Sequence, residues 1–182
     1  MNPWHDIDEK FIKEDEFFTV IEIKKGSRLK YEVDKETGLL VLDRVLATAT
    51  HYPCNYGFIP RTLSEDGDPL DVLVLMSEPV EPMSIIKCTP IGVLEMIDDG
   101  EMDEKIIAVP LHKKGIYRKP LTDISQVNQD FIDEISHFMQ VYKGVGDNNN
   151  VQIKPVQGKA EAKKIIRDAK ELYNKKFGGK IK

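Results

Sequence analysis

At 182 residues the chain is long enough to bury a core without disulfides, and the simplest reading is one domain over 1–182. Its 26 Lys and Arg against 31 Asp and Glu leave a net charge of −5, which argues against a broad surface for nucleic acid or anionic membrane. The 2 cysteines, Cys54 and Cys88, form no CxxC pair, which argues against a disulfide framework or zinc site, and neither a basic–apolar leader nor a membrane-length apolar run is present, so a soluble cytoplasmic protein is expected.

Residues 1–16 are charged and aperiodic, and are predicted to lie over the domain as an arm anchored by Trp4 and His5. Phe17 to Lys24 is rich in β-branched and aromatic residues and predicts a strand that carries Glu22. Leu29 to Val33 alternates, with Leu29, Tyr31 and Val33 on one face and Lys30 and Glu32 on the other. After the turn Asp34-Lys35-Glu36-Thr37-Gly38, Leu39 to Leu46 predicts a third strand carrying Asp43 and Arg44. Charged residues within strands ordinarily face water, and on pattern alone that holds as well for Glu22, Lys30, Glu32 and Arg44 as any other role.

His51 to Pro60 contains Pro53, Gly57 and Pro60 and predicts an irregular loop, whose Tyr52 and Tyr56 fit either a core plug or a pair of phosphate-contacting phenols. Asp66-Gly67-Asp68-Pro69-Leu70-Asp71 then places three carboxylates on a tight turn ahead of the apolar strand Val72 to Met76. Like charges so close repel unless a cation sits among them, and oxygen ligands suit magnesium, manganese or calcium. A solvated acidic turn is the plain alternative. Ile91 to Ile97 predicts a further strand, followed by five acids within Asp98 to Lys105 on a second hairpin-like turn, and Ile106 to Leu111 resumes β character.

Lys113, Lys114, Arg118 and Lys119 are expected in a solvated loop. Val127, Phe131, Ile135, Phe138 and Tyr142 recur at helical spacing, and the helix closes at Tyr142-Lys143 before Gly144 and Gly146. His137 is expected to pack or to meet another subunit, because no second His or Cys stands at ligand spacing. After an Asp147–Asn150 turn, Ala162, Ile165, Ile166, Ala169, Leu172 and Phe177 stripe a second helix that stops at Gly178-Gly179. Strands first and helices last predict an α+β fold with a mainly β core, closed or partly closed as a barrel.

Asp66 to Val72 resembles the signature of the family I soluble inorganic pyrophosphatases. Six further blocks occur in that family's order: Ile21-Glu22-Ile23, Lys30-Tyr31-Glu32, Asp43-Arg44, Tyr52 to Gly57, Asp98 to Lys105 and Tyr142-Lys143. The resemblance covers nearly the whole chain. It implies a five-stranded barrel related to the oligonucleotide-binding fold, with flanking strands, two main α-helices and the active site at the barrel mouth. It also implies hydrolysis of inorganic diphosphate to two phosphates by metal-activated water, with several Mg²⁺ ions per site and Mn²⁺ or Zn²⁺ as substitutes. By similarity Asp66, Asp71, Asp98 and Asp103 would be metal ligands, with Glu22 and Glu32 acting through water. Lys30, Arg44, Tyr56, Lys105, Tyr142 and Lys143 would contact phosphate. Asp68, Asp71 and Tyr56 would serve catalysis, Asp68 as the proton acceptor. Compact chains of this length resemble the bacterial branch, implying a cytoplasmic homohexamer without nucleic-acid or membrane partners.

Other chemistries fit less well. An EF-hand starting at Asp66 would find Leu70, Asp71 and Ser77 where it needs a ligand, Gly and Glu. A Walker loop is absent, and Cys54 beside Pro53 is better suited to packing than to nucleophilic attack. A nucleic-acid barrel would want exposed aromatics in a basic groove, whereas here aromatics are interleaved with acids. The surviving non-enzyme reading is a metal- or phosphate-binding relative lacking turnover.

Overall fold

The computed structural model describes residues 1–111, 121–144 and 151–178. Its strands are β1 (Phe17–Ile23), β2 (Leu29–Val33), β3 (Leu40–Val45), β4 (Asn55–Phe58), β5 (Asp71–Val74), β6 (Ile85–Asp98), β7 (Glu101–Pro110), β8 (Gln152–Ile153) and β9 (Gln157–Gly158). The helices are α1 (Gln129–Val141) and α2 (Lys159–Phe177). Strands β1, β4, β5, β7 and β6 form a ring in that order, closed where β1 returns to β6 from Phe17↔Cys88 to Val20↔Ile85. Closure removes the free edges that an open sheet would expose. The chain is therefore an α+β protein with a five-stranded, OB-like barrel. All ring neighbours run antiparallel except β5 and β7, which are parallel and place Asp71 opposite Lys105. The β2–β3 hairpin stands outside the ring, while β8 and β9 add short pairings to β6.

Each helix covers one side of the barrel. Helix α2 buries Ala162, Ile166, Ala169 and Tyr173 in one cluster with Phe17, Val20, Phe58 and Val72. Helix α1 buries Ile132, Ile135, Phe138 and Met139, the last three in a second cluster with Leu73, Leu94 and Ile107. Asn128 caps α1 by accepting the Asp130 N–H at 2.9 Å, satisfying one donor left free at a helix start. Gly57 lets β4 approach β1, because a Cβ there would stand 1.9 Å from the Val20 carbonyl oxygen.

Several sequence expectations need correction. The segment 51–60 is not wholly irregular: after Pro53 it straightens into β4, where its backbone pairs with both β1 and β5. Asn55 is fully buried and supports this turn, accepting the Lys25 and Val80 N–H groups and donating to the Glu78 carbonyl. Glu22 does not face water but is only 8% exposed. The alternation of 29–33 is interrupted by a register shift between Lys30 and Tyr31, so β2 does not keep two clean faces. Strand β6 begins at Ile85, earlier than expected, and tolerates Pro90 because its pairing with β7 slips between Pro90 and Gly92. Most acids of 98–105 lie on strand ends, leaving Asp99-Gly100 as the turn. On α2 the buried stripe includes Tyr173, while Leu172 lies partly exposed. His137 is exposed on α1. Lys113, Lys114, Arg118 and Lys119, Gly146, the Asp147–Asn150 turn and Gly179 lie outside the described residues.

The N-terminal arm is anchored as expected. Trp4 is 5% exposed, donates its indole N–H to the Thr62 carbonyl at 2.8 Å and meets Phe177 edge-on at 5.5 Å. His5 stacks on Trp4 at 4.5 Å and hydrogen-bonds the Tyr173 hydroxyl through Nδ1 at 2.7 Å. Burial pushes the His5 pKa below its usual 6.5, opposed by Asp6 and reinforced by Arg61. The folded state therefore takes up this proton less readily than the unfolded chain, so His5 destabilises the fold as pH drops below about 6.5. The melting-temperature gap between wild type and His5→Gln should narrow as pH is lowered from about 7.5 to about 5.5; a constant gap would contradict this.

Candidate active site

One cavity of about 270 Å³ opens between the barrel and the β2–β3 hairpin. Every residue singled out as a site candidate lines it: Glu22, Lys30, Glu32, Arg44, Tyr56, Asp66, Asp68, Asp71, Asp98, Asp103, Lys105, Tyr142 and Lys143. They arrive from β1, β2, β3, β4, the turn before β5, β5 itself, β6, β7 and the end of α1.

At its base, β5 and β7 set Asp71 beside Lys105, and Asp103 lies two residues along on the same face of β7. The Lys105 ammonium bridges both acids, at 2.5 Å from Asp71 Oδ2 and 2.6 Å from Asp103 Oδ1. Burial opposes its charge, but the two carboxylates outweigh burial and hold its pKa above the ordinary lysine value. Tyr56 donates its hydroxyl to Asp71, and Lys105 lies 5.8 Å above the Tyr56 ring. Burial, with Asp71 beside it, keeps the Tyr56 phenol well above its usual pKa, so it stays a neutral donor. Tyr52 takes the other role that the sequence left open: 2% exposed, it packs 4.7 Å from Phe138 as part of the core.

The walls divide by origin. From the hairpin, Lys30 reaches Glu32 and, at 3.1 Å, Asp43 Oδ2, which also accepts from Arg44 Nε at 2.7 Å. From α1, Lys143 pairs with Asp98 across to the end of β6. Glu22 accepts the Val33 N–H at 2.7 Å, fastening the hairpin to the barrel. Burial raises the Glu22 carboxyl to about 8, the hydrogen bond from Val33 pulling down and Asp71 and Glu32 pushing up.

The donor set fits a hard divalent cation. Four aspartates, Asp66, Asp71, Asp98 and Asp103, share the cavity, and Asp98 Oδ1 is buried with no hydrogen-bond partner among the described residues. The Asp66 carboxyl is raised above its ordinary value by burial; the Asp68 N–H counters, while the charges of Asp68 and Asp71 add to the rise. Added positive charge would relieve that repulsion, and carboxylate oxygen is the ligand Mg²⁺-like ions prefer. Among the described residues no three His, Cys, Asp or Glu side chains converge closely enough to hold an ion as they stand. Instead the carboxylates are shared out among lysines: Lys105 holds Asp71 and Asp103, Lys143 holds Asp98, and Lys35 holds Asp68.

Sequence reasoning passed over two of these groups. Lys35 looked like ordinary turn chemistry, yet it lines the cavity and pairs with Asp68. Asp43 reads from the sequence as a strand charge and as half of the Asp43-Arg44 block, with no role of its own, yet it links Lys30 to Arg44. Its place directly before Arg44 was the available signal; for Lys35 the signal was a cation in the turn following a charged strand. Truncating the buried cation should be severe: Lys105→Met should cost about 3 kcal/mol by leaving Asp71 and Asp103 unpaired. Urea unfolding with EDTA present measures this, and a loss below about 1 kcal/mol would contradict the pairing.

The same fold occurs in known proteins. A family model described as inorganic pyrophosphatase matches residues 19–174, a span holding all the charged groups just described. A Chlamydomonas reinhardtii protein named soluble inorganic pyrophosphatase 2 is 46% identical over 176 residues, covering 97% of this chain and 90% of that protein. A solved Helicobacter pylori inorganic pyrophosphatase is 42% identical with a TM-score of 0.85, covering 90% of this chain and 96% of that one. The Thermus thermophilus inorganic pyrophosphatase gives a TM-score of 0.86 at 34% identity, covering 96% and 99%. With that span running from β1 into the last turn of α2, this chain belongs to the inorganic pyrophosphatase family.

Proposed function

We propose that the chain hydrolyses inorganic diphosphate to two phosphates in this cavity, acting as one domain over 1–182 with several divalent ions per site. Mg²⁺ is the expected metal, with Mn²⁺ or Zn²⁺ as substitutes. The observation that carries the reading is the shared cavity of acids and cations, with Asp71, Lys105 and Asp103 in contact at its base. Relatives named inorganic pyrophosphatase support the same substrate.

Asp66, Asp71, Asp98 and Asp103 would hold the metals directly, and Glu22 and Glu32 through water. Bound there, the ions supply Lewis acidity toward phosphate oxygens and acidify water. The side chains do the rest. Lys30 and Arg44, aligned by Asp43, offer donors from the hairpin wall to one phosphate. Lys105 and Lys143 exchange carboxylate partners for phosphate oxygens, and Tyr56 and Tyr142 donate without adding charge. Asp68, on the turn at the rim, accepts a proton as the attacking water oxygen bonds to one phosphorus and the bridging oxygen leaves with the other phosphate. Cations around that leaving phosphate offset its growing charge.

The exposed apolar strip of Leu39, Val41 and Val45, up to 66% exposed on the hairpin, supports an assembly of subunits. We read it as a cytoplasmic homohexamer without nucleic-acid or membrane partners, by resemblance to the bacterial branch. Light scattering should give the mass of six chains; a monomer across the micromolar range would remove the assembly.

Phosphate release from diphosphate should need millimolar Mg²⁺, stop with EDTA and greatly exceed release from ATP. Asp71→Asn should lower turnover at least about a hundred-fold with an unchanged circular dichroism spectrum. Near-normal turnover in Asp71→Asn would refute the metal assignment, and an inert wild type in Mg²⁺ would leave only a binding protein.

A further inference from the structure

Lys35 sits in the turn between β2 and β3, apart from the strand-borne cations. Its side chain pairs with Asp68 on the acidic turn before β5, and both side chains are about half exposed, 53% and 49%. The turn that carries Lys35 is closed by hydrogen bonds between the residues on either side of it. Asp34 Oδ1 accepts the Thr37 N–H at 2.7 Å, the Gly38 N–H donates to the Asp34 carbonyl at 2.8 Å, and Gly38 takes φ +71°. The arm packs so closely that a Cβ on Gly38 would stand 2.8 Å from Asn2 Cα.

From there a chain of hydrogen bonds leads back to the acidic turn. Asn2 Nδ2 donates to the Lys35 carbonyl at 2.8 Å, and Asn2 Oδ1 accepts the Trp4 N–H at 3.0 Å. The Trp4 indole N–H donates to the Thr62 carbonyl at 2.8 Å, and the buried Thr62 hydroxyl accepts the Leu70 N–H at 2.9 Å. Leu70 lies two residues beyond Asp68. The Lys35 backbone and the chain two residues beyond Asp68 are therefore both tied to Trp4 and Thr62, and the ion pair closes the circuit across the cavity mouth. A contact whose two ends are fixed beforehand orients a side chain with less entropic loss than one between free side chains.

We propose that Lys35 is a positioning residue that orients the Asp68 carboxylate toward the cavity, with the N-terminal arm as its support. This rests on Asp68 being the proton acceptor. Lys35 acts through Asp68 and not on substrate, so its loss slows turnover while leaving substrate affinity in place.

A double-mutant cycle in saturating Mg²⁺ tests this. Lys35→Ala should lower kcat roughly five-fold, the scale of one ion pair, with KM within about two-fold of wild type. Lys35→Arg should restore most of the loss, and in an Asp68→Asn background Lys35→Ala should lower kcat no further. Asn2→Ala should give a smaller fall in the same direction; an unchanged kcat there removes the arm from the proposal. A rise in KM at constant kcat, or equal losses from Lys35→Ala in both backgrounds, would overturn it. If Asp68→Asn is slow but Lys35→Ala matches wild type, the role of Lys35 fails and that of Asp68 stands. If Asp68→Asn itself turns over normally, the assignment of Asp68 has failed instead. Lys35→Gln, with unfolding midpoints for all variants, separates a folding defect from lost orientation.

Discussion

Strands β5 and β7 are the one parallel pair in the ring, and their register sets Asp71 opposite Lys105. Side chains two apart on a strand share a face, so Asp103 comes to the same ammonium. Three charges are thereby held in the barrel by backbone hydrogen bonds instead of by flexible loops. Burying a lysine between two carboxylates is tolerable because each charge has a partner; removing any one leaves the others poorly solvated. The remaining acids and cations are arranged around that triad. Glu22 ties the hairpin to β1, and the hairpin carries Lys30, Arg44 and Lys35 to the opposite wall.

The cavity is electrostatically unfinished for a small polyanion. Its lysines are already occupied by carboxylates, and seven acids line it against five cations, so a diphosphate would meet more negative charge than positive. Divalent ions on the carboxylates would change that balance, freeing ammonium groups while adding charge of the sign the substrate needs. Acidic residues thus serve a site for an anion. The phenols fit the same logic, since burial keeps Tyr56 and Tyr142 protonated as donors that add no charge of their own.

Much of this was legible in the chain. Apolar and β-branched runs located β1, β2, β3, β5 and parts of β6 and β7, and helical spacing located both helices, each of which buries one face. The ordered motif blocks singled out the charged residues that line the cavity. Strand β4 was hidden by Pro53 and by a Tyr-rich composition that suggested a plug, and its extended form comes from pairing with two neighbours distant in sequence. The choice of Tyr173 over Leu172 reflects a phase difference of one residue, settled by packing against Trp4 and His5. Least visible were the ion pairs. Which lysine meets which aspartate depends on strand register and on the path of the arm, and Lys35 with Asp68 joins a hairpin turn to a separate acidic turn 33 residues away.

On the proposed reading, the aspartates of this cavity hold divalent ions where a diphosphate binds among Lys30, Arg44 and Lys105. Anomalous diffraction from crystals equilibrated with Mn²⁺ and a non-hydrolysable diphosphate analogue tests it most directly. Manganese peaks are expected against Asp66, Asp71, Asp98 and Asp103, with the analogue between them and the hairpin cations. Manganese found only elsewhere on the surface, with Lys105 still held between Asp71 and Asp103 and the analogue outside the cavity, would contradict it.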